Sequence, residues 1–433
     1  MTSPAPAELR RTLGFWALVF YGVGDILGAG IYALVGKVAG VAGPASWAAF
    51  AVALFVAGLT ALTYAELGGR FPQSAGESYF AARAFGRPGL ALLVGWVVLC
   101  SGVLSLATVS VAFGGYMTGF FPRLPAQAAV VGILLLLAAI NFRGMRESSA
   151  TNIVATMVEL TGLLIVIVAG ALFLGEAPDE SVAHTLEASM EVDWSRIARG
   201  AALGFFAFIG FEDMVNVAEE VKDPERNMPR AILAALGVTG LVYLLVVVVA
   251  TSIMTASELG SSDAPLLAVV RRSTDAVPDR VFTLIALFAV ANTGLLNFIM
   301  GSRLIYGMAR QRLLPSVFGA VHPERHTPHV AILAVLLVAL ALALSGTLTY
   351  LAGTTSLLLL VVFFTLHVSL IAIKRRDEDR LRTFCAPRAI PMLGALSCIA
   401  LMPFVPRGSL LTVGLILGLG SLLVAARSRK PGA

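Results

Sequence analysis

Charge is what this chain has least of. Of its 433 residues only 13% are Asp, Glu, Lys or Arg, while 58% are hydrophobic. A soluble domain carries roughly a quarter charged residues, so a water-soluble globule is excluded. Cysteine is scarce as well. Cys100, Cys385 and Cys398 stand at apolar or basic-loop positions, which excludes a disulfide framework. Residues 1–12 are polar, and the apolar run behind them is too long for a leader core and lacks a small-residue cleavage site. The first span is therefore expected to be retained. There is no long polar stretch either; the longest loop, about 175–198, has room for a short helix at most. No His-Glu-x-x-His, nucleophile elbow or phosphate-cradling glycine loop occurs. His322, His326 and His329 have ligand-like spacing, but Pro323 and Pro328 break the helix that would align them, so no metal is expected. No cofactor is implied. A net charge of +5 comes without any basic-aromatic platform, which leaves nucleic acid out as a partner.

What is present is a series of apolar runs, each near the roughly 20 residues needed to cross about 30 Å of hydrocarbon. Twelve are legible: 13–35, 45–67, 90–119, 126–142, 150–174, 199–219, 231–255, 281–302, 329–346, 348–373, 390–406 and 409–426. The fold class expected is all-α integral membrane. Counting loops for twelve spans, one side holds 23 of the 31 Lys and Arg and the other 8. The loops 176–193 and 258–279, on the poorer side, hold ten of the 26 acidic residues. The positive-inside rule then places both termini in the cytoplasm of a cell or inner membrane.

Two spans depart from a continuous helix. The first contains Asp25-Ile26-Leu27-Gly28-Ala29-Gly30-Ile31, and the sixth contains Gly204 to Asp213 with Gly210 and Glu212 inside it. A bilayer has no water for free backbone groups, so spans normally stay unbroken. Glycines permit unwinding, and the freed amides and carbonyls can then hold a solute. Close helix packing is the plainer reading of the glycines alone. The acids weigh against it: Asp25 lies ~18 Å and Glu212 ~20 Å along their spans at 1.5 Å per residue, near mid-membrane. Glu159 in the fifth span reaches a comparable depth, and no Lys or Arg does. Buried acids without a base must take a proton, accept hydrogen bonds, or receive a cation.

The order of motifs resembles the amino acid–polyamine–organocation transporters. Gly28-Ala29-Gly30-Ile31 is similar to their first-span break. Phe206-Ala207-Phe208-Ile209-Gly210-Phe211-Glu212, with Glu219-Glu220-Val221-Lys222-Asp223-Pro224 after it, resembles their sixth-span signature. Phe71-Pro72-Gln73-Ser74-Ala75-Gly76-Glu77 resembles their loop between spans two and three, and Arg303 to Arg310 the sequence after span eight. The resemblance implies a five-plus-five inverted repeat (LeuT-like) with spans one and six broken and two accessory C-terminal helices. Its divisions here would be a cytoplasmic tail 1–12, repeats 13–174 and 199–373, accessory helices 390–426 and a tail 427–433. It implies a substrate carboxylate on the amides of Gly28, Ala29 and Gly30. The substrate amino group would meet Ile26 and the carbonyls near Phe206, Ala207 and Ile209, with Phe206 as an aromatic gate.

Three positions depart from that pattern. Asp25 stands where the arginine–agmatine exchangers of the family carry an asparagine, and Asn297 where they carry a large aromatic. Glu159 replaces a lysine that in several relatives meets the hydroxyl aligned with Thr293. Asp25 and Asn297 thus join the expected substrate contacts, and Glu159, Thr293 and Glu212 become candidates for proton or cation coupling. The activity implied is secondary active transport of amino acids or amines by alternating access, driven by a proton gradient or by exchange of cationic substrates. Its partners would be the lipid bilayer and a small amino acid or amine, with the protein a monomer or homodimer. A receptor or intramembrane enzyme is the alternative of another class. Glu66, Glu77, Glu219 and Glu220 read as solvated loop residues or salt bridges. Ser105 and Thr108 read as pathway-facing or as bonded to their own helix, Asp213 as a second site acid or a packing contact, and His367 as a packing residue.

Overall fold

A computed structural model describes residues 11–73, 76–121, 123–143, 149–176, 193–310, 314–376 and 384–428. The short helix expected within 175–198 and most of both tails lie outside these residues. Among the described residues every regular element is helical, apart from one isolated parallel bridge between Leu13 and Val221. Among these residues nine helical stretches are long and apolar enough to cross a membrane, and Phe15–Leu27, His329–Ser345 and Ala389–Phe404 are shorter apolar helices.

The first expected span is two helices, α1 (Phe15–Leu27) and α2 (Ala29–Ala42), meeting at Gly28. A turn at Gly43–Ala45 leads into α3 (Ser46–Arg70), and α4 (Gly76–Phe85) links it to α5 (Pro88–Phe120). α6 (Ala126–Arg143) and α7 (Ser149–Glu176) complete the first half. The sixth expected span begins as α8 (Trp194–Gly204), tightens to 3₁₀ turns at Phe205–Phe208, opens at Ile209 and Gly210, and resumes as 3₁₀ turns over Phe211–Glu220. α9 (Pro224–Ile253), two short helices α10 (Ala256–Ser261) and α11 (Pro265–Ser273), and α12 (Asp279–Arg310) follow. The chain ends in α13 (His329–Ser345), α14 (Leu348–Arg376), α15 (Ala389–Leu401) and α16 (Arg407–Ser428).

The outward faces show why these helices belong in lipid. On α7, Leu164, Val168 and Leu172 are exposed at four-residue spacing, one stripe of a helix. Leu411, Leu415 and Leu419 do the same on α16. Such stripes are unfavourable in water and cost nothing against acyl chains. The inward faces pack in pairs: α9 along α3 and α1, α12 along α5, and α13 along α6. Polar contacts cross these seams where side chains are small. Asn141 on α6 donates to Ser302 on α12 at 3.1 Å.

Two buried polar clusters tie α14 to its neighbours. The His367 ring lies between Thr60 (3.2 Å) and Thr63 (2.9 Å) of α3, so the lone histidine is a packing residue with both ring nitrogens engaged. Gly394 of α15 packs so close that a methyl group there would stand 2.1 Å from the ring. The second cluster decides between the two readings of Glu66 in favour of the salt bridge: it is fully buried, 2.5 Å from Arg70 and 2.7 Å from Lys374, and it accepts the Ala386 amide at 2.9 Å. One carboxylate thereby joins α3, α14 and the segment leading into α15. Removing one partner of a buried pair strands the others, at a cost of about 3–5 kcal/mol. Glu66→Ala is accordingly expected to lower stability by about that amount, read as a fall in melting temperature of the detergent-purified protein.

Candidate functional site

The two interruptions touch. At Gly30, in the first turn of α2, an added Cβ would come 2.5 Å from Ala207 Cα. At Gly210 it would come 2.7 Å from the Asp25 carbonyl carbon. Both glycines therefore exist to let one backbone reach the other. Gly210 also has φ of +133°, which L side chains rarely adopt. Gly28 faces α12, where an added Cβ would stand 1.8 Å from Thr293 Oγ1. The break in span one is thus narrower than the glycine pattern implies, a single residue, because α2 restarts at Ala29. Ala29 and Gly30 then occupy the first turn of a helix, where amides have no intrahelical acceptor.

The expected site residues gather around these crossings. Ile26, Phe206 and Ala207 are buried, and Asp25, Ile209, Thr293 and Asn297 are partly buried. The Ile26 carbonyl accepts the Tyr243 hydroxyl of α9 at 2.5 Å. Glu212 is buried and folds back to accept the Gly210 amide at 2.8 Å, which satisfies a donor freed by the opening. Glu159 lies on α7, and Asn292, the neighbour of Thr293, reaches it from α12. Its Oε1 accepts from Asn292 Nδ2 at 3.0 Å, and its buried Oε2 has no hydrogen-bond partner. The Tyr32 hydroxyl donates to the Glu159 carbonyl at 2.8 Å, while the Tyr116 hydroxyl donates to the Tyr32 carbonyl at 2.9 Å. Those two bonds connect α5, α2 and α7 behind the carboxylate.

Glu77 needs correcting. It is buried rather than solvated, and it accepts the Tyr64 hydroxyl at 2.9 Å. Burial pushes its carboxyl up to about 7, with Asp213 adding to the rise and hydrogen bonds from its own amide and from Tyr64 opposing it. Glu77, Glu212 and Asp213 line a common internal cavity with Ser105, Ile209 and Asn297. Ser105 thus faces inward, whereas Thr108 donates to its own helix at Leu104. Asp213 is held at the cavity by Asn216, 3.1 Å away. Asn292, Tyr243 and Tyr64 are the contacts that spacing did not reveal. Only Asn292 carried a signal, its place beside Thr293.

A multi-pass helical membrane protein with two interrupted spans in backbone contact and acids at the crossing is what these observations define. Comparison with known proteins names the group. Residues 13–424 match the amino acid permease family, and the chain belongs to that family. It is similar to the methylthioribose transporter of Bacillus subtilis, 29% identical over 98% of this chain and 94% of the relative. The branched-chain amino acid permease of the same organism is 27% identical over 91% and 88%. The chloroplastic cationic amino acid transporter 9 of Arabidopsis thaliana is 30% identical over 73% of this chain and 58% of the relative.

The crossing makes a direct expectation. Gly210→Ala places a methyl group against the Asp25 backbone in a disfavoured φ region and is expected to destabilise by about 1–3 kcal/mol. Gly58→Ala, where nothing lies within 4 Å, is the matched control and should melt as the parent does.

Proposed function

We propose that this chain is a secondary active transporter that carries amino acids or related amines across a cell membrane by alternating access. The observation that carries the reading is the contact of the two span interruptions, Gly30 on Ala207 and Gly210 on Asp25. A pair of broken spans crossing in mid-membrane offers amides at one helix start and carbonyls at the other helix end, a cradle for a group bearing both charges. In this reading the substrate carboxylate meets the amides of Gly28, Ala29 and Gly30. Its amino group meets Asp25, Ile26 and the carbonyls near Phe206, Ala207 and Ile209. Phe206 closes over it, and Asn297 contacts its side chain.

The packing pairs support a twelve-span layout with an inverted repeat. Numbering the expected spans from one, the partners are one with six, two with seven (α3 and α9), three with eight (α5 and α12) and four with nine (α6 and α13). These four pairs are each five spans apart, as in two superposable halves, while α9 also packs along α1 and α14 along α5. Spans one, two, six and seven then form the moving bundle. The inner ends of spans one and six are joined by backbone bonds, Leu13 to the Glu220 carbonyl at 2.9 Å and Lys222 to the Leu13 carbonyl at 2.8 Å, which supports their moving together. The positive-inside pattern puts both termini in the cytoplasm. Coupling falls to Glu159, assisted by Thr293 and by Glu212, with a proton as the transferred cation.

The test is uptake into proteoliposomes of labelled lysine, arginine, putrescine, alanine, leucine and serine, with and without an inward proton gradient. Uptake of at least one amino acid or amine, enhanced by the gradient, is expected. Failure of every compound to enter in either condition would overturn the transporter reading. For Glu159→Gln we expect uptake to lose its dependence on the gradient; a variant that responds as the parent does would remove Glu159 from coupling.

A further inference from the structure

Beneath the opening of span six lies a pocket of about 20 Å³. Three carboxylates reach it, Glu77 from α4 and Glu212 and Asp213 from the inner half of span six, and among the described residues no Lys, Arg or His lines it. Each has one oxygen anchored by a neutral donor: Tyr64, the Gly210 amide and Asn216 respectively. The remaining polar groups are acceptors as well. Ser101 spends its proton on the Val98 carbonyl at 2.8 Å, and Asn297 donates its amide to the Thr293 carbonyl at 3.0 Å. The Asn297 carbonyl oxygen lies toward Gly102, which also lines the cavity. Ser105, a residue only 6% exposed, lines the same space and has no hydrogen-bond partner among the described residues. A hydroxyl in that position is free to accept a proton from a ligand.

A wall of acceptors calls for a donor that carries positive charge. No group of three acidic, His or Cys side chains among the described residues is placed to hold a metal ion, which argues against a bare metal cation. Size narrows the class further. A water-sized group needs roughly 10–15 Å³ by this measure, so the pocket as it stands takes one such group, whereas a planar guanidinium is larger. An ammonium has the dimensions of a water molecule and directs three protons to separate acceptors. Ile209 and Asn297 line this pocket and also belong to the proposed substrate contacts, so the pocket adjoins that site.

We propose that this cavity is a subsite for a terminal primary ammonium, making the preferred substrate a diamino acid such as lysine or ornithine. The assignment rests on the transporter reading given above and adds Glu77, Asp213 and Ser105 to the residues that meet substrate.

The experiment compares lysine with norleucine, the same side chain without the terminal ammonium, and with arginine and alanine. Each is titrated against the melting temperature of the purified protein, and each is then offered as a competitor of labelled substrate in proteoliposomes. Lysine is expected to act at a concentration about tenfold or more below norleucine, the size of one charge-assisted hydrogen bond, and likewise below arginine. Asp213→Asn and, separately, Ser105→Ala should narrow the lysine–norleucine gap, and Asp213→Glu should restore part of it. Equal action of lysine and norleucine would overturn the subsite while leaving transport of neutral amino acids standing. Arginine acting as well as lysine would overturn the size argument. If no amino acid shifts the melting temperature or enters the vesicles, the transporter reading falls and the subsite falls with it.

Discussion

Backbone hydrogen bonding without water is the constraint on which the rest of this molecule depends. A helix broken in hydrocarbon exposes amides and carbonyls, each costing several kcal/mol unless met. Here the breaks lie against each other and against polar side chains that meet what they free. The Glu212 carboxylate takes the Gly210 amide, and the Tyr243 hydroxyl takes up the Ile26 carbonyl. Glycine is required at Gly30 and Gly210 because only a residue without Cβ lets one chain come within contact of the other. Tertiary packing and local backbone geometry are in this way one feature, and neither survives without the other.

The acids divide into two kinds by their partners. Glu66 is paired with two bases and an amide, an arrangement that fixes α3, α14 and the entry to α15 and leaves nothing over for a ligand. Glu159, Glu77, Glu212 and Asp213 are held instead by neutral donors: an Asn, a Tyr, a backbone amide and another Asn. Neutral donors orient a carboxylate without cancelling its charge. That difference separates structural acids from those that can exchange a proton or receive a cation, and it follows from partner chemistry, not from burial, since both kinds are buried.

Much of this was legible in the sequence. Glycine interrupting an apolar run, with acids at mid-depth and no base nearby, located both breaks, put Asp25 and Glu212 beside them, and set Glu159 at a similar depth in span five. What stayed open or was misread has a common cause. Glu66, left between solvated loop and salt bridge, and Glu77 sit near helix ends, where exposure is the usual outcome; one is a buried salt bridge because Lys374 and Ala386, some three hundred residues away, close over it. The other is buried because span six lays its acids against α4. Asn292 and Tyr243 escaped notice for the same reason: their partners Glu159 and Ile26 are 133 and 217 residues distant, and no local period encodes such a pairing. Local rules identify where a helix must fail, whereas the groups that rescue the failure come from whichever helix happens to cross there.

The inner half of span six shows how far that rescue reaches. Its ten residues, Phe211–Glu220, run as 3₁₀ turns, which rise about 2.0 Å per residue against 1.5 Å for an α-helix. The segment is therefore longer by about 5 Å than the same residues in α form. Such a run has poorer hydrogen-bond geometry and is uncommon at this length, so something must hold it stretched. Both ends are tied. At one end the Glu212 carboxylate bonds back to Gly210, and at the other the Glu220 carbonyl accepts the amides of Thr12 and Leu13. The stretch is what lets a single short segment reach from the crossing with span one to the start of that same span, closing a loop of contacts through which span one and the inner half of span six are held as one body.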